Sequence, residues 1–409
     1  MKKLFRNLLA LSLVFAILLS FAGCNLLKKP SDEGNNDNGA VTNPPKEKKP
    51  YTVTYVTDYE NIKNIVFIIG DGMGEEQLDA GELTYDKEYA FRDSFTKLFS
   101  DTNSLDPNTD EPTKTTDSAA GATALATGIL TYNNRVAIGS DFSEYTTVLD
   151  IAKSVGKSTA VVTTDYLSGA TPSGFSAHTL NRNLEVEIIR SQINSGVDLL
   201  VGQYDATYDE YQDQIKEKYN YVKTFDKDAI LASKDGDSLC LFNIEKEASD
   251  SIELKDATDL AIDYVKDDSD GFVLVIEQAH IDKKCHDNNF EAAAKAANSL
   301  NDTVEYVLSF ASQRNDTAVI ITADHETGGL NVSENPTEYE NTVSSENGTE
   351  FSYEFSTTNH TKTPVPVYFT GFGAKPELFK TYSSAEKVKN NEIFFIVKDL
   401  ILHSKMVEE

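Results

Sequence analysis

Basic residues, cysteines and histidines are all scarce in this chain, and each shortage narrows what it can be. Thirty-seven Lys and Arg stand against 66 Asp and Glu, a formal net charge of −29. A surface that binds nucleic acid carries basic patches, so none is expected here. A small anionic ligand would also be repelled at long range unless bound cations reversed the sign locally. There are three cysteines, Cys24, Cys240 and Cys285. If Cys24 is set aside for the reason given below, the other two form a pair that an exported protein could oxidise. The sequence does not supply their separation, so the pairing stays open. No internal repeat is found. The longest apolar run, Leu8 to Leu19, falls short of the roughly 20 residues that a membrane-spanning helix needs.

That run has a different reading. Lys2, Lys3 and Arg6 precede it, and the small residues Ala22 and Gly23 lead into Cys24, the layout of a secretory signal. The small-small-Cys ending resembles the lipobox of bacterial lipoproteins, although Phe21 stands where Leu is usual. An ordinary cleaved signal with an incidental cysteine is the alternative. On the lipoprotein reading, residues 1–23 are removed and Cys24 becomes the lipidated terminus. Residues 24–50, rich in Asn, Pro, Lys, Gly and Asp, then act as a flexible tether. One acyl chain anchors weakly, whereas a diacylated cysteine holds. The protein is therefore expected to be exported and lipid-anchored, on the outer face of the bacterial cytoplasmic membrane or in the periplasm.

The rest, residues 51–409, is read as one catalytic domain. Short apolar runs without alternation, Ile65–Ile69, Thr159–Val162, Val197–Val201, Phe272–Ile276, Ala318–Ile321 and Val365–Phe369, suit strands buried on both faces of a parallel sheet. Helical patterns fall between them at Thr147–Val155, Leu184–Ile193, Ala257–Val265, Phe290–Ala311 and Ala385–Leu402. Strands alternating with helices predict an α/β fold, a three-layer α/β/α sandwich around a mostly parallel central sheet. Two segments read as peripheral inserts. Residues at about 203–237 are dense in Tyr, Asp, Lys and Gln and suggest a surface excursion. Residues at about 331–358 carry Asn347-Gly348 before alternating aromatics, a hairpin signal, and are expected to overhang the site or to form a plain surface hairpin.

Chemistry-bearing residues gather at the predicted strand ends. Asp71 follows one strand, Asp324 another, and Glu277 closes a third with Asp282 just beyond. Ligands of open α/β sheets bind outside the carboxyl ends of strands. Of only six histidines, His286 lies four residues after Asp282, His325 follows Asp324, and His360 precedes a strand. Mixed His and Asp ligation suits Zn²⁺, while Asp71, Glu277 and a hydroxyl make the all-oxygen set that Mg²⁺ prefers. His178, His280 and His403 show no such company. Ser118, in Thr116-Asp117-Ser118-Ala119-Ala120, opens a helix of small residues; it is either a helix cap or a nucleophile that those acids and histidines surround. Taken together, the segments predict a metal-dependent phosphate-ester hydrolase.

These motifs resemble those of the bacterial alkaline phosphatases from about Asn64 to about Phe372. The resemblance makes Ser118 the residue phosphorylated in turnover and Arg182 the one that grips substrate phosphate, as a planar guanidinium binds two oxygens at once. It places one zinc on Asp282, His286 and His360, a second on Asp71, Asp324, His325 and the Ser118 oxygen, and a magnesium on Asp71, Thr171 and Glu277. Asp117 would orient Arg182, and Lys283 would reach phosphate through water. One departure stands out: Gly169 occupies a position where many members carry Asp or His beside the magnesium. The implied substrates are small phosphate monoesters. A phosphodiesterase or another esterase of the same superfamily is the alternative, and the resemblance leaves a homodimer open.

Overall fold

The computed structural model describes residues 62–232, 236–244, 251–370 and 387–406, with side chains up to residue 402. The signal segment, Cys24, the tether and the first residues of the last expected helix lie outside the described residues, as does the side chain of His403. No described helix is long and apolar enough to cross a membrane.

Ten strands form one sheet: β1 (Asn64–Gly70), β2 (Thr96–Asp101), β3 (Ser158–Tyr166), β4 (Leu199–Gln203), β5 (Asn220–Val222), β6 (Ser238–Phe242), β7 (Phe272–Gln278), β8 (Thr317–Thr322), β9 (Val365–Phe369) and β10 (Lys387–Lys389). Their order across the sheet is β10-β2-β9-β8-β1-β7-β3-β4-β6-β5. Only β9 runs against its neighbours, β8 and β2; the remaining pairings are parallel. All six strands expected from apolar runs are present, each extended by a residue or more where the run met polar side chains, except Val365–Phe369, which is unchanged, and Val197–Val201, which is shifted.

The central strands are buried on both sides, and alternate residues feed two cores. Val66 and Ile68 of β1 pack with α6 (Leu254–Val265) and α8 (Phe290–Ser312), and with Leu78 of α1 (Glu75–Tyr85). Ile65, Phe67 and Ile69 point the other way, onto α2 (Ser118–Thr127), α3 (Val148–Ser154), Phe175 of α4 (Ala170–Ser176), α5 (Glu185–Ile193) and α9 (Asn390–Met406). This gives three layers, as period-two strands covered by helices require. The last helix, α9, packs along α2: Phe394 lies against the Gly128 end of α2, and Asn391 Nδ2 donates to the Gly128 carbonyl at 3.1 Å.

One expectation changes. The 203–237 segment is not a loop laid on the surface. Its strand β5 pairs with β6 at the sheet edge, and Tyr208, Ile215, Tyr219 and Ile230 are buried. Its tyrosines carry enough apolar ring to join a core while their hydroxyls find partners, as Tyr208 does with Gln192 Oε1 at 2.6 Å. The 331–358 segment does contain the hairpin, turning at Gly348, and its strands form a separate three-stranded sheet with Leu330–Ser333. That sheet seats Leu330 and Phe351 on Phe290 and Ala294 of α8, so only its far end, near Thr358, reaches the site. Cys240 and Cys285 are both buried free thiols.

Candidate functional site

Adjacent strand ends bring the acids together. Ile69 of β1 is in register with Glu277 of β7 and Thr322 of β8, and Glu277 is in register with Thr163 of β3. The chain leaves β1 through Asp71 and a left-handed Gly72 with φ of +72°. A β-carbon at Gly72 would lie 2.7 Å from Asp282 Cα and 2.8 Å from Thr327 Oγ1. Only glycine lets Asp71 and Asp282, at the head of α7 (His280–His286), approach this closely.

Ser118 is not the cap of α2. Asp117 fills that position, accepting from Ala120 N at 3.0 Å through Oδ1 and from Asn134 N at 3.0 Å through Oδ2. The Ser118 hydroxyl is thereby left free of capping duty, and it sits buried 3.3 Å from His325 Nε2.

Two triads surround it. In the first, His286 Nε2 lies 3.0 Å from His360 Nε2, and the two are 3.3 and 3.4 Å from Asp282 Oδ1. The Nδ1 atoms of these rings face the carbonyls of Thr358 at 2.6 Å and Thr116 at 2.9 Å. A carbonyl only accepts, so neutral rings bonded this way carry the proton on Nδ1 and turn their Nε2 lone pairs inward. In the second, His325 Nε2 lies 3.6 Å from Asp71 Oδ1 and 3.3 Å from Asp324 Oδ2. Both of those carboxylate oxygens are buried without a hydrogen-bond partner. Lone pairs converging in this way, with orphaned carboxylate oxygens among them, make a donor set that could hold a cation. His325 also shares a group of potential ligands with Asp282 and His360, and its ring stacks on that of His360 with centroids 3.6 Å apart. The two triads therefore adjoin.

A third set is all oxygen. Thr171 Oγ1 is buried beside Glu277, near enough to favour its ionised form without completing a hydrogen bond. Glu277 accepts from Thr163 Oγ1. The absent side chain at Gly169 leaves room that Asp165 takes: a β-carbon there would lie 2.6 Å from Asp165 Oδ2, and Asp165 Oδ1 holds Lys283 Nζ in an ion pair.

The electrostatics agree with cation binding. Burial, then the charges of Asp324, Asp282 and Glu277, push the Asp71 carboxyl well above its usual range. Burial and Asp282 raise Asp324 to about 7, and burial and Asp165 raise Glu277 to about 8. Burial, then His360, holds His325 well below the ordinary imidazole value. Burial opposes ionisation of Asp282, but the imidazoles beside it and the hydrogen bond it accepts from Thr327 Oγ1 outweigh that and keep it low. So much buried negative charge demands either protons or multivalent cations.

Arg182 stands at the mouth, partly exposed, with Nη1 3.5 Å from Asp117 Oδ2 and its backbone N–H on the Asn134 carbonyl at 2.8 Å. Its charge reaches Asp71 and His325. Asp71, Ser118, Asp282, His286, Asp324, His325 and His360 thus converge, with Glu277 near Asp71, Thr171 beside Glu277, and Arg182 tied in through Asp117. His178 lies apart, its Nε2 2.9 Å from the Tyr145 carbonyl. Sequence reasoning missed Asn134, Thr163, Asp165 and Thr327. For Thr327 a signal existed, since it stands two residues after His325 in a segment already singled out.

The sequence model described as alkaline phosphatase matches residues 62–203 and 216–393. The chain belongs to the alkaline phosphatase family. It is 33% identical over 291 residues to alkaline phosphatase 3 of Bacillus subtilis, a match covering 67% of this chain and 63% of that relative. It is 27% identical over 328 residues to the alkaline phosphatase of Escherichia coli, covering 64% and 70%. Against the two Bacillus subtilis relatives it matches, the chain spans 63% and 64% of their length. The alkaline phosphatase of the Antarctic bacterium TAB5 superposes with a TM-score of 0.71 at 27% identity, covering 84% of this chain and 98% of that one. The break in the family match after residue 203 falls on the Ala206–Tyr211 turn of helix, within the segment that extends the sheet edge.

Proposed function

We propose that this member of the alkaline phosphatase family hydrolyses phosphate monoesters to an alcohol and inorganic phosphate through a phosphoserine at Ser118. The observation that carries the reading is the buried Ser118 hydroxyl, 3.3 Å from His325 Nε2 and beside orphaned oxygens of Asp71 and Asp324. No capping or packing role accounts for a hydroxyl placed there.

Zinc on Asp282, His286 and His360, zinc on Asp71, Asp324 and His325, and magnesium on Asp71, Thr171 and Glu277 would supply Lewis acidity, acidifying the hydroxyl and neutralising phosphoryl and leaving-group charge. Arg182 grips two non-bridging oxygens of the substrate, with Asp117 setting the plane of its guanidinium. Ser118 Oγ loses its proton and bonds to phosphorus, while the ester P–O bond breaks and the departing alcohol oxygen takes up a proton. Water then bonds to phosphorus, the Ser118 Oγ–P bond breaks, Oγ regains a proton and inorganic phosphate leaves. The buried walls around Ser118 hold these charges in a low-dielectric site where fixed dipoles act strongly.

A rate comparison of p-nitrophenyl phosphate with bis-p-nitrophenyl phosphate tests the substrate class: faster diester cleavage would replace the monoester reading. Removal of metal with EDTA should abolish turnover, with zinc restoring it better than calcium. The amino-terminal pattern further supports export and a lipid anchor at Cys24; palmitate labelling that persists in Cys24→Ser would overturn the anchor.

A further inference from the structure

Thr327 takes no part in the ligand sets above, yet its hydroxyl touches a member of each triad. Oγ1 hydrogen-bonds Asp282 Oδ1 and lies 3.2 Å from His325 Nδ1. The residue is fully buried, its backbone N–H donates to the Gly72 carbonyl at 3.1 Å, and it pairs across a short ladder with His360. We propose that Thr327 is a positioning residue that couples the two triads by fixing the tautomer of His325.

The argument counts protons. A threonine hydroxyl has one proton to give and lone pairs to receive with. An ionised carboxylate only accepts, so the contact with Asp282 Oδ1 takes that proton. The contact with His325 then forms only if the ring donates, which places its proton on Nδ1. His325 Nε2 is left as a bare lone pair, and that atom is the one facing Ser118, Asp71 and Asp324. His286 and His360 reach the same tautomer through backbone carbonyls, which cannot reverse their role. His325 alone among the three relies on a side chain that could donate instead. Its tautomer is therefore conditional on Asp282 drawing the hydroxyl proton away. One hydroxyl makes the first triad's carboxylate and the second triad's imidazole a single hydrogen-bonded chain.

The catalytic consequence rests on the proposed phosphatase reading; the coupling itself does not. The test uses the full-length, zinc-loaded protein and its Thr327→Val and Thr327→Ser variants. Zinc retention at each site is measured against a competing chelator, and ring ¹⁵N shifts are recorded with histidine labelled. In Thr327→Val the affinities of both zinc sites should fall together, by roughly 10- to 100-fold. The His325 ring shifts should move and kcat should drop more than KM rises, whereas Thr327→Ser should behave as the parent does. Unchanged zinc affinities in Thr327→Val, loss confined to one site, or a Thr327→Ser variant as impaired as Thr327→Val would each overturn the coupling. If the parent cleaves no phosphate monoester while Thr327→Val still weakens both sites, the substrate reading fails and the coupling stands.

Discussion

Ser118 stands one position past the cap of its helix, and that single step decides what its hydroxyl can do. Asp117 takes the capping bonds, so Ser118→Ala should fold and keep its metals while kcat falls on the order of 10⁴- to 10⁶-fold; metal analysis alongside phosphatase rates checks both halves. Arg182→Lys keeps the charge but loses the paired donors, so inhibition by inorganic phosphate should weaken about 10- to 100-fold, the range of one or two charge-assisted bonds. An unchanged inhibition constant would remove Arg182 from phosphate binding. At this scale the sequence showed the ionisable groups well. Asp71, Glu277 and Asp324 each follow or close an apolar run, Asp282 lies a few residues beyond one, and so few histidines made His286, His325 and His360 conspicuous. Hydroxyl and amide partners were not legible. Thr163, Thr327 and Asn134 are ordinary residues in ordinary stretches, and their part depends on which atoms they meet after folding.

Elements carry their own constraint, which is how near two backbones may come. Gly121 lies on the face of α2 turned to Asp324, and a β-carbon there would sit 3.0 Å from Asp324 Cβ and 3.1 Å from its carbonyl oxygen. Gly121→Ala should therefore push α2 off the strand end. The expected results are a loss of about 1–3 kcal/mol in urea unfolding and a lower kcat; full stability with full activity would show that α2 has slack. The central strands could be read in advance because burial on both faces leaves uninterrupted Val, Ile and Leu. The edge could not. Strand β5 is Asn220-Tyr221-Val222, too short and too polar to stand out, and β2, one strand in from the other edge, is only partly buried apart from Ser100.

For the whole molecule, the buried acids make stability depend on pH and metal together. Glu277 at about 8 and Asp324 at about 7 lie above their unfolded values, so the metal-free folded state retains protons that the unfolded chain has released. Stability should then fall as pH rises from about 4 through about 8. A divalent cation held by these carboxylates would displace those protons and bind more tightly as they leave, which should reverse the trend. Melting temperatures at pH 5 and pH 8.5, with and without EDTA, check this: the EDTA-treated protein should melt lower at pH 8.5, and the loaded protein should not.

The packing of α9 along α2 has a consequence in time. Ser118 leaves the ribosome well before Phe394, so the helix that Ser118 opens exists for a time without the side chain that seats against its far end. A chain stopped short of Phe394 would carry Ser118 on a helix with one flank bare.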